Sequence, residues 1–93
     1  MGNSRGLSLG INPNPFLQET TLVLHLSMAE KVSIQLLDQS GRLVQDLLKL
    51  RKMDAGIHRF YFNKGQLQAG LFYVAVQTRD NRIVRKMIIF EDR

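Results

Sequence analysis

Apolar and polar residues exchange places with a period of two along most of this chain, the pattern of half-buried β-strands. Leu7, Leu9 and Ile11 alternate with Ser8 and Gly10, which predicts a short edge strand. Thr20–Leu26 sets Leu22, Leu24 and Leu26 on one face. After a polar turn at Ser27–Lys31, Val32, Ile34 and Leu36 repeat the pattern against Lys31, Ser33 and Gln35, so the two runs predict a hairpin or meander pair. The stretch Asp54–Thr78 carries the densest aromatic content and predicts two further strands joined by a short excursion. In it His58, Phe60 and Phe62 alternate with Ile57, Arg59, Tyr61 and Asn63. Phe72, Val74 and Val76 alternate with Leu71, Tyr73, Ala75 and Gln77. This pair is the expected centre of the core. The last run, Ile83–Phe90, sets Ile83, Met87 and Ile89 on one face, interrupted by Arg85, and Val84, Lys86, Ile88 and Phe90 on the other. A charge within the apolar face suits an edge strand.

Punctuation between the runs supports the reading. Gly56 and Gly70 each stand just before a strand, where a bend free of Cβ constraint is useful. Asn12-Pro13-Asn14-Pro15-Phe16 is a rigid extended or turned connection, because each proline removes a donor and restrains the residue before it. Phe16 then packs down as an anchor. Asp38-Gln39-Ser40-Gly41 is a turn in which Asp and Ser bond nearby backbone and Gly accepts positive φ. Arg79-Asp80-Asn81-Arg82 reads as a hairpin turn with Asp or Asn at positive φ. Leu43–Leu50 fits a helical face through Leu43, Leu47 and Leu50, or a strand over Leu43–Leu48 ending in a basic loop at Lys49–Asp54. The surrounding β pattern favours the strand. About seven short strands at near-regular spacing predict an all-β, immunoglobulin-like antiparallel β-sandwich.

Ninety-three residues with 44% apolar and 23% charged content are one globular domain and not a disordered chain. Residues 1–10 read as the end of a linker and a short edge strand, residues 11–93 as the domain proper. The absence of cysteine excludes disulfides and thiol chemistry. A net charge of +5 admits contact with phosphate or acidic glycan, but the basic residues are spread over several segments, as on an ordinary solvated surface. No run is apolar and long enough for a membrane span, and the N-terminus lacks the pattern of a signal peptide. If the domain is exported, its signal peptide belongs to a longer precursor.

Catalytic constellations are missing from the pattern. His25 and His58 have no metal-ligand spacing; His58 shares parity with Phe60 and Phe62 and is expected as a hydrogen-bonded flank of the core, His25 as solvated. The carboxylates lie mostly in turns and termini, with no converging pair for glycoside hydrolysis. The serines lack a nucleophile elbow, and the glycines form no phosphate loop. The expectation is a non-enzyme without cofactor or metal. Tyr61 and Tyr73, with Arg59 nearby, could form a stacking face for a single-stranded oligonucleotide, although two surface tyrosines are commonplace.

Four stretches together resemble a known family, the C-terminal sorting domain of the bacterial type IX secretion system (the Por secretion tail, type A). Pro13, Asn14, Pro15 and Phe16 are similar to its Pro-Asn-Pro-Phe opening, followed by Glu19-Thr20-Thr21. Leu37-Asp38-Gln39-Ser40-Gly41-Arg42-Leu43-Val44 resembles its Tyr-Asp-x-x-Gly-Arg-x-Val segment. Gly56 and His58, then Leu67 through Gly70 to Phe72 and Tyr73, resemble its Gly-x-His and Leu-x-x-Gly-x-Tyr pair. Arg85-Lys86-Met87-Ile88-Ile89-Phe90 is similar to its terminal strand of Lys and apolar residues. Leu37 and Phe72 stand where the family often has Tyr, keeping bulk and losing a hydroxyl.

The resemblance implies a non-catalytic sorting module that takes a cargo protein from the periplasm across the outer membrane to the surface or medium of a Bacteroidetes-type bacterium. It implies the type IX machinery and a sortase-like protease as partners, with a cut just upstream of or within residues 1–11. By the same analogy, Lys86, Met87, Ile88, Ile89 and Phe90 are the recognition element. An exposed edge on the last strand could be read by strand addition or could pair two copies. The alternative is an accessory sandwich that stays on the cargo and binds glycan or protein.

Overall fold

The computed structural model describes residues 6–91. They form seven strands: β1 Leu7–Asn12, β2 Glu19–Leu26, β3 Glu30–Leu37, β4 Leu43–Met53, β5 Gly56–Asn63, β6 Gly70–Gln77 and β7 Arg82–Ile89. A three-stranded sheet in the order β1-β2-β5 faces a four-stranded sheet in the order β4-β3-β6-β7, with every ladder antiparallel. This is an immunoglobulin-like sandwich in which the fourth strand joins the sheet of the third. The alternation explains it: each strand has one apolar face to bury, and two facing sheets bury all of them in one layer.

That layer draws Leu7, Leu9, Leu22, Leu24 and Leu26 from the first sheet. Val32, Ile34, Leu36, Val74, Val76, Ile83, Met87 and Ile89 come from the second. The core therefore centres on β2, β3 and β6, not on a β5–β6 pair as expected. β5 lies at the edge of the three-stranded sheet and pairs with β2 from Gly56 to Asn63. Its Phe62 is buried, while Phe60 and His58 are only half-buried. Residues 64–69 carry the chain across to the other sheet, and Leu67 in that crossing packs against the core.

Two further pairings differ from expectation for the same reason. β2 and β3 are not a hairpin: the turn at residues 27–29 crosses between sheets, and both edges of β2 are taken by β1 and β5. Alternation states which face a strand buries, not which strand lies beside it. β4 is a strand, but it runs through the predicted basic loop as far as Met53. It keeps pace with β3 through register shifts near Ile34 and Leu36. At one irregular step Leu50 takes φ 40°, and its N–H donates to Ser33 Oγ at 3.0 Å, the displaced geometry of a bulged edge. The β6–β7 turn also departs from expectation, since Asp80 and Asn81 do not have positive φ. Instead the buried Thr78 closes it, its N–H donating to the Asn81 carbonyl at 2.8 Å while its hydroxyl accepts from the Asn81 N–H at 3.2 Å.

Candidate recognition surface on the last strand

β7 is the outer strand of the four-stranded sheet. Its alternation divides the expected recognition residues into two groups. Met87 and Ile89 are buried in the core. Lys86, Ile88 and Phe90 are exposed on the opposite parity. A partner meeting the outer face of this strand would touch the side chains of Lys86, Ile88 and Phe90.

The outer backbone edge of β7 is partly occupied. Asn14, between the two prolines, acts as a short mimic of a peptide group: its Nδ2 donates to the Lys86 carbonyl at 2.8 Å and its Oδ1 accepts from the Ile88 N–H at 3.0 Å. Phe16 continues the pairing in parallel with Ile89. Its N–H donates to the Ile88 carbonyl at 3.1 Å, and its carbonyl accepts from Phe90 N–H at 2.7 Å. The segment is fixed from behind. The Thr20 hydroxyl donates to the Pro13 carbonyl at 2.5 Å, and the buried Phe16 ring meets Phe62 edge-on, centroids 6.1 Å apart. Pro13 and Pro15 are exposed and both follow cis peptide bonds. Strand addition over residues 86–90 would have to displace this segment. From Arg82 to Val84 the outward backbone groups continue the parity of Lys86 and Ile88, and there the Val84 carbonyl accepts from Arg85 Nη1 at 3.2 Å.

The remaining motif residues build turns and supports. Asp38 holds the β3–β4 turn: its Oδ1 accepts from the Ser40 N–H, the Ser40 hydroxyl and the Arg42 N–H, all at 2.9 Å. Gly41 sits at φ 89° and its N–H donates to the Asp38 carbonyl. These donors, the Arg42 N–H foremost and then the Ser40 hydroxyl, hold the Asp38 carboxyl below its ordinary value of 3.8. A depressed folded value stabilises the fold above the unfolded pKa, and that contribution disappears as pH falls through the folded one. Thermal melts of wild type and Asp38→Asn from neutral to acid pH should therefore differ most at neutrality and converge below the ordinary carboxylate range. A gap that stays constant with pH would refute the assignment.

Gly56 opens β5 at φ 127° and Gly70 opens β6 at φ 148°, a region that side-chain-bearing residues rarely enter. His58 flanks the core as expected, its Nε2–H donating to the Asp54 carbonyl at 2.7 Å and closing the β4–β5 turn. Phe72 is half-buried and packs on the core. His25 is exposed. Tyr61 and Tyr73 do not share a face, because β5 and β6 belong to different sheets, so the suggested oligonucleotide-stacking surface does not form. No group of three His, Asp or Glu side chains among the described residues could hold a metal ion.

Sequence reasoning missed the pairing of Asn14 with the last strand. An amide between two prolines is visible in the sequence, but its partners lie 72 and 74 residues away.

A search of curated proteins finds no match. Against family models, the secretion system C-terminal sorting domain matches residues 10–90. The span takes in the paired Asn14–Phe16 segment, the Asp38–Gly41 and β4–β5 turns and the terminal strand, and the chain belongs to the family of type IX secretion C-terminal sorting domains.

Proposed function

We propose that this domain is a non-catalytic sorting signal carrying a cargo protein through the periplasm and across the outer membrane by the type IX route. On attachment at the cell surface, a sortase-like protease removes it. The observation that carries the proposal is the family match over residues 10–90. The exposure of Lys86, Ile88 and Phe90 on the terminal strand is consistent with their role as recognition residues. β1 spans the expected boundary at residues 10 and 11, and its Leu7 and Leu9 are buried. A cut that releases an intact sandwich accordingly falls before Leu7. The part of the expected cut region at residues 1–5 lies outside the described residues.

The test fuses the chain behind a periplasmic reporter in a bacterium carrying the type IX machinery. Reporter should reach the surface or medium, and released fragments should begin before Leu7. Periplasmic retention of a folded fusion would overturn the sorting reading.

One observation favours the alternative of a retained binding module. Between the free edges of β4 and β5 lies an open cleft of ≈ 500 Å³, with Gln45, Arg59, Tyr61 and Asn63 at its polar and aromatic rim. In that case the domain would remain on mature surface cargo.

A further inference from the structure

We propose that Pro13–Phe16 is a built-in edge guard: it keeps a second copy of this chain from adding its own terminal strand to β7, and Asn14 is the residue that withholds the backbone groups such a strand would need.

The edge it covers is one that two copies could share. β7 pairs with β6 without a register shift from Arg82 to Ile89. Every second residue of an edge strand turns its N–H and carbonyl outward. On β7 the bonds to Asn14 and Phe16 identify that set as Lys86 and Ile88, and the same parity includes Arg82 and Val84. An uncovered row of this kind is a template for another strand. An antiparallel pair of identical strands is isologous, so each copy would supply both the template and the added strand. The other edge of the same sheet is broken instead by the register shifts of β4 and the positive φ of Leu50, a second way of spoiling a template.

The guard removes acceptors above all. Asn14 Nδ2 occupies the Lys86 carbonyl, the Phe16 N–H occupies the Ile88 carbonyl, and Arg85 Nη1 occupies the Val84 carbonyl. Among the described residues, the Arg82 carbonyl is the last outward acceptor of β7 without a listed donor. An incoming strand needs donors and acceptors in alternation, and it meets the N–H groups of Val84 and Lys86 with no free carbonyl between them. The cover does not become a template in turn. Pro13 and Pro15 have no N–H to offer a further strand, and Asn14 meets β7 with its side chain, not its backbone. The guard is also held from within the fold, by the buried Phe16 ring and the Thr20 hydroxyl on the Pro13 carbonyl.

Sedimentation equilibrium over a concentration series tests this on the 93-residue chain. Asn14→Ala returns the Lys86 carbonyl and the Ile88 N–H to the edge. Its self-association constant should exceed that of wild type about tenfold or more, since two added hydrogen bonds are together worth about a decade of affinity. Val84→Pro takes an outward N–H from the middle of the reopened edge, and the double variant should return to wild-type behaviour. In dilute Asn14→Ala the Ile88 amide should exchange with solvent faster than in wild type, while the Phe90 amide keeps its bond to Phe16. Thermal melts establish which variants are folded. If Asn14→Ala is not, Asn14→Asp replaces it: that change keeps the acceptor for the Ile88 N–H and loses only the donor to Lys86, and association should again rise.

A folded Asn14 variant that associates no more than wild type overturns the proposal. Association that survives Val84→Pro overturns it as well, and assigns the contact to another edge or to exchange of whole strands between copies. Neither result touches the sorting reading, which stands or falls with the reporter fusion.

Discussion

A chain ending at Arg85 is expected not to fold. The deletion removes Met87 and Ile89, which are 0% and 1% exposed and lie in the core. Emptying a buried site of this kind costs about 2–5 kcal/mol for each side chain. It also removes the ladder partners of Tyr73, Leu71 and Gly70, and the backbone groups that hold Asn14 and Phe16. The sum is comparable with the whole stability of a small domain, about 5–15 kcal/mol. Urea titration followed by circular dichroism should show no cooperative transition for the truncated chain. The volume-conserving change Met87→Leu should instead cost less than about 1.5 kcal/mol. A cooperative transition in the truncated chain would show that the other six strands suffice. The functional consequence is direct: loss of export on deleting the last strand would report unfolding as readily as loss of a signal, so point changes at the exposed Lys86 and Ile88 are the discriminating ones.

Phe16→Ala should lower stability by about 3–5 kcal/mol, the usual cost of emptying a buried phenylalanine site. Phe16 is 2% exposed and sits edge-on to Phe62. It also anchors the segment that closes the outer edge of β7. Asn14→Ala leaves the anchor and removes two side-chain hydrogen bonds to β7, for an expected loss of about 1–3 kcal/mol. Urea midpoints and slopes for the two variants and their double mutant measure both effects. The double mutant should be less destabilised than the sum, because losing the anchor already loosens Asn14. A cost below about 1 kcal/mol for Phe16→Ala would mean that the segment merely rests on the sheet.

These expectations show where reading the chain succeeds. Period-two alternation identified six of the seven strands because each carries its burial pattern locally: Leu22, Leu24 and Leu26 announce a buried face without reference to their partner. The Asp38–Gly41 turn was legible for the same reason, since its acceptor, donors and glycine lie within five residues. The pairing of β5 with β6 failed as an expectation because sequence proximity was taken for spatial adjacency, whereas residues 64–69 cross the sandwich. Leu43–Met53 was ambiguous because register shifts against β3 break the period of its inward side chains, Leu47, Leu48 and Met53.

The fold class, the Asp38–Gly41 turn and the family were all legible in the chain, because they rest on local alternation, local hydrogen bonding and the order of short motifs. The alternation also placed Lys86, Ile88 and Phe90 on one parity and Met87 and Ile89 on the other. What those parities mean depends on how the strands pack. The tertiary structure put Asn14 and Phe16 on the edge of β7, and it aligned Leu43, Leu37 and Tyr73 with Lys86 across strands that are distant in the chain. Ladder register is a property of several strands packed at once, because the shared core selects the one set of pairings that buries every apolar face together.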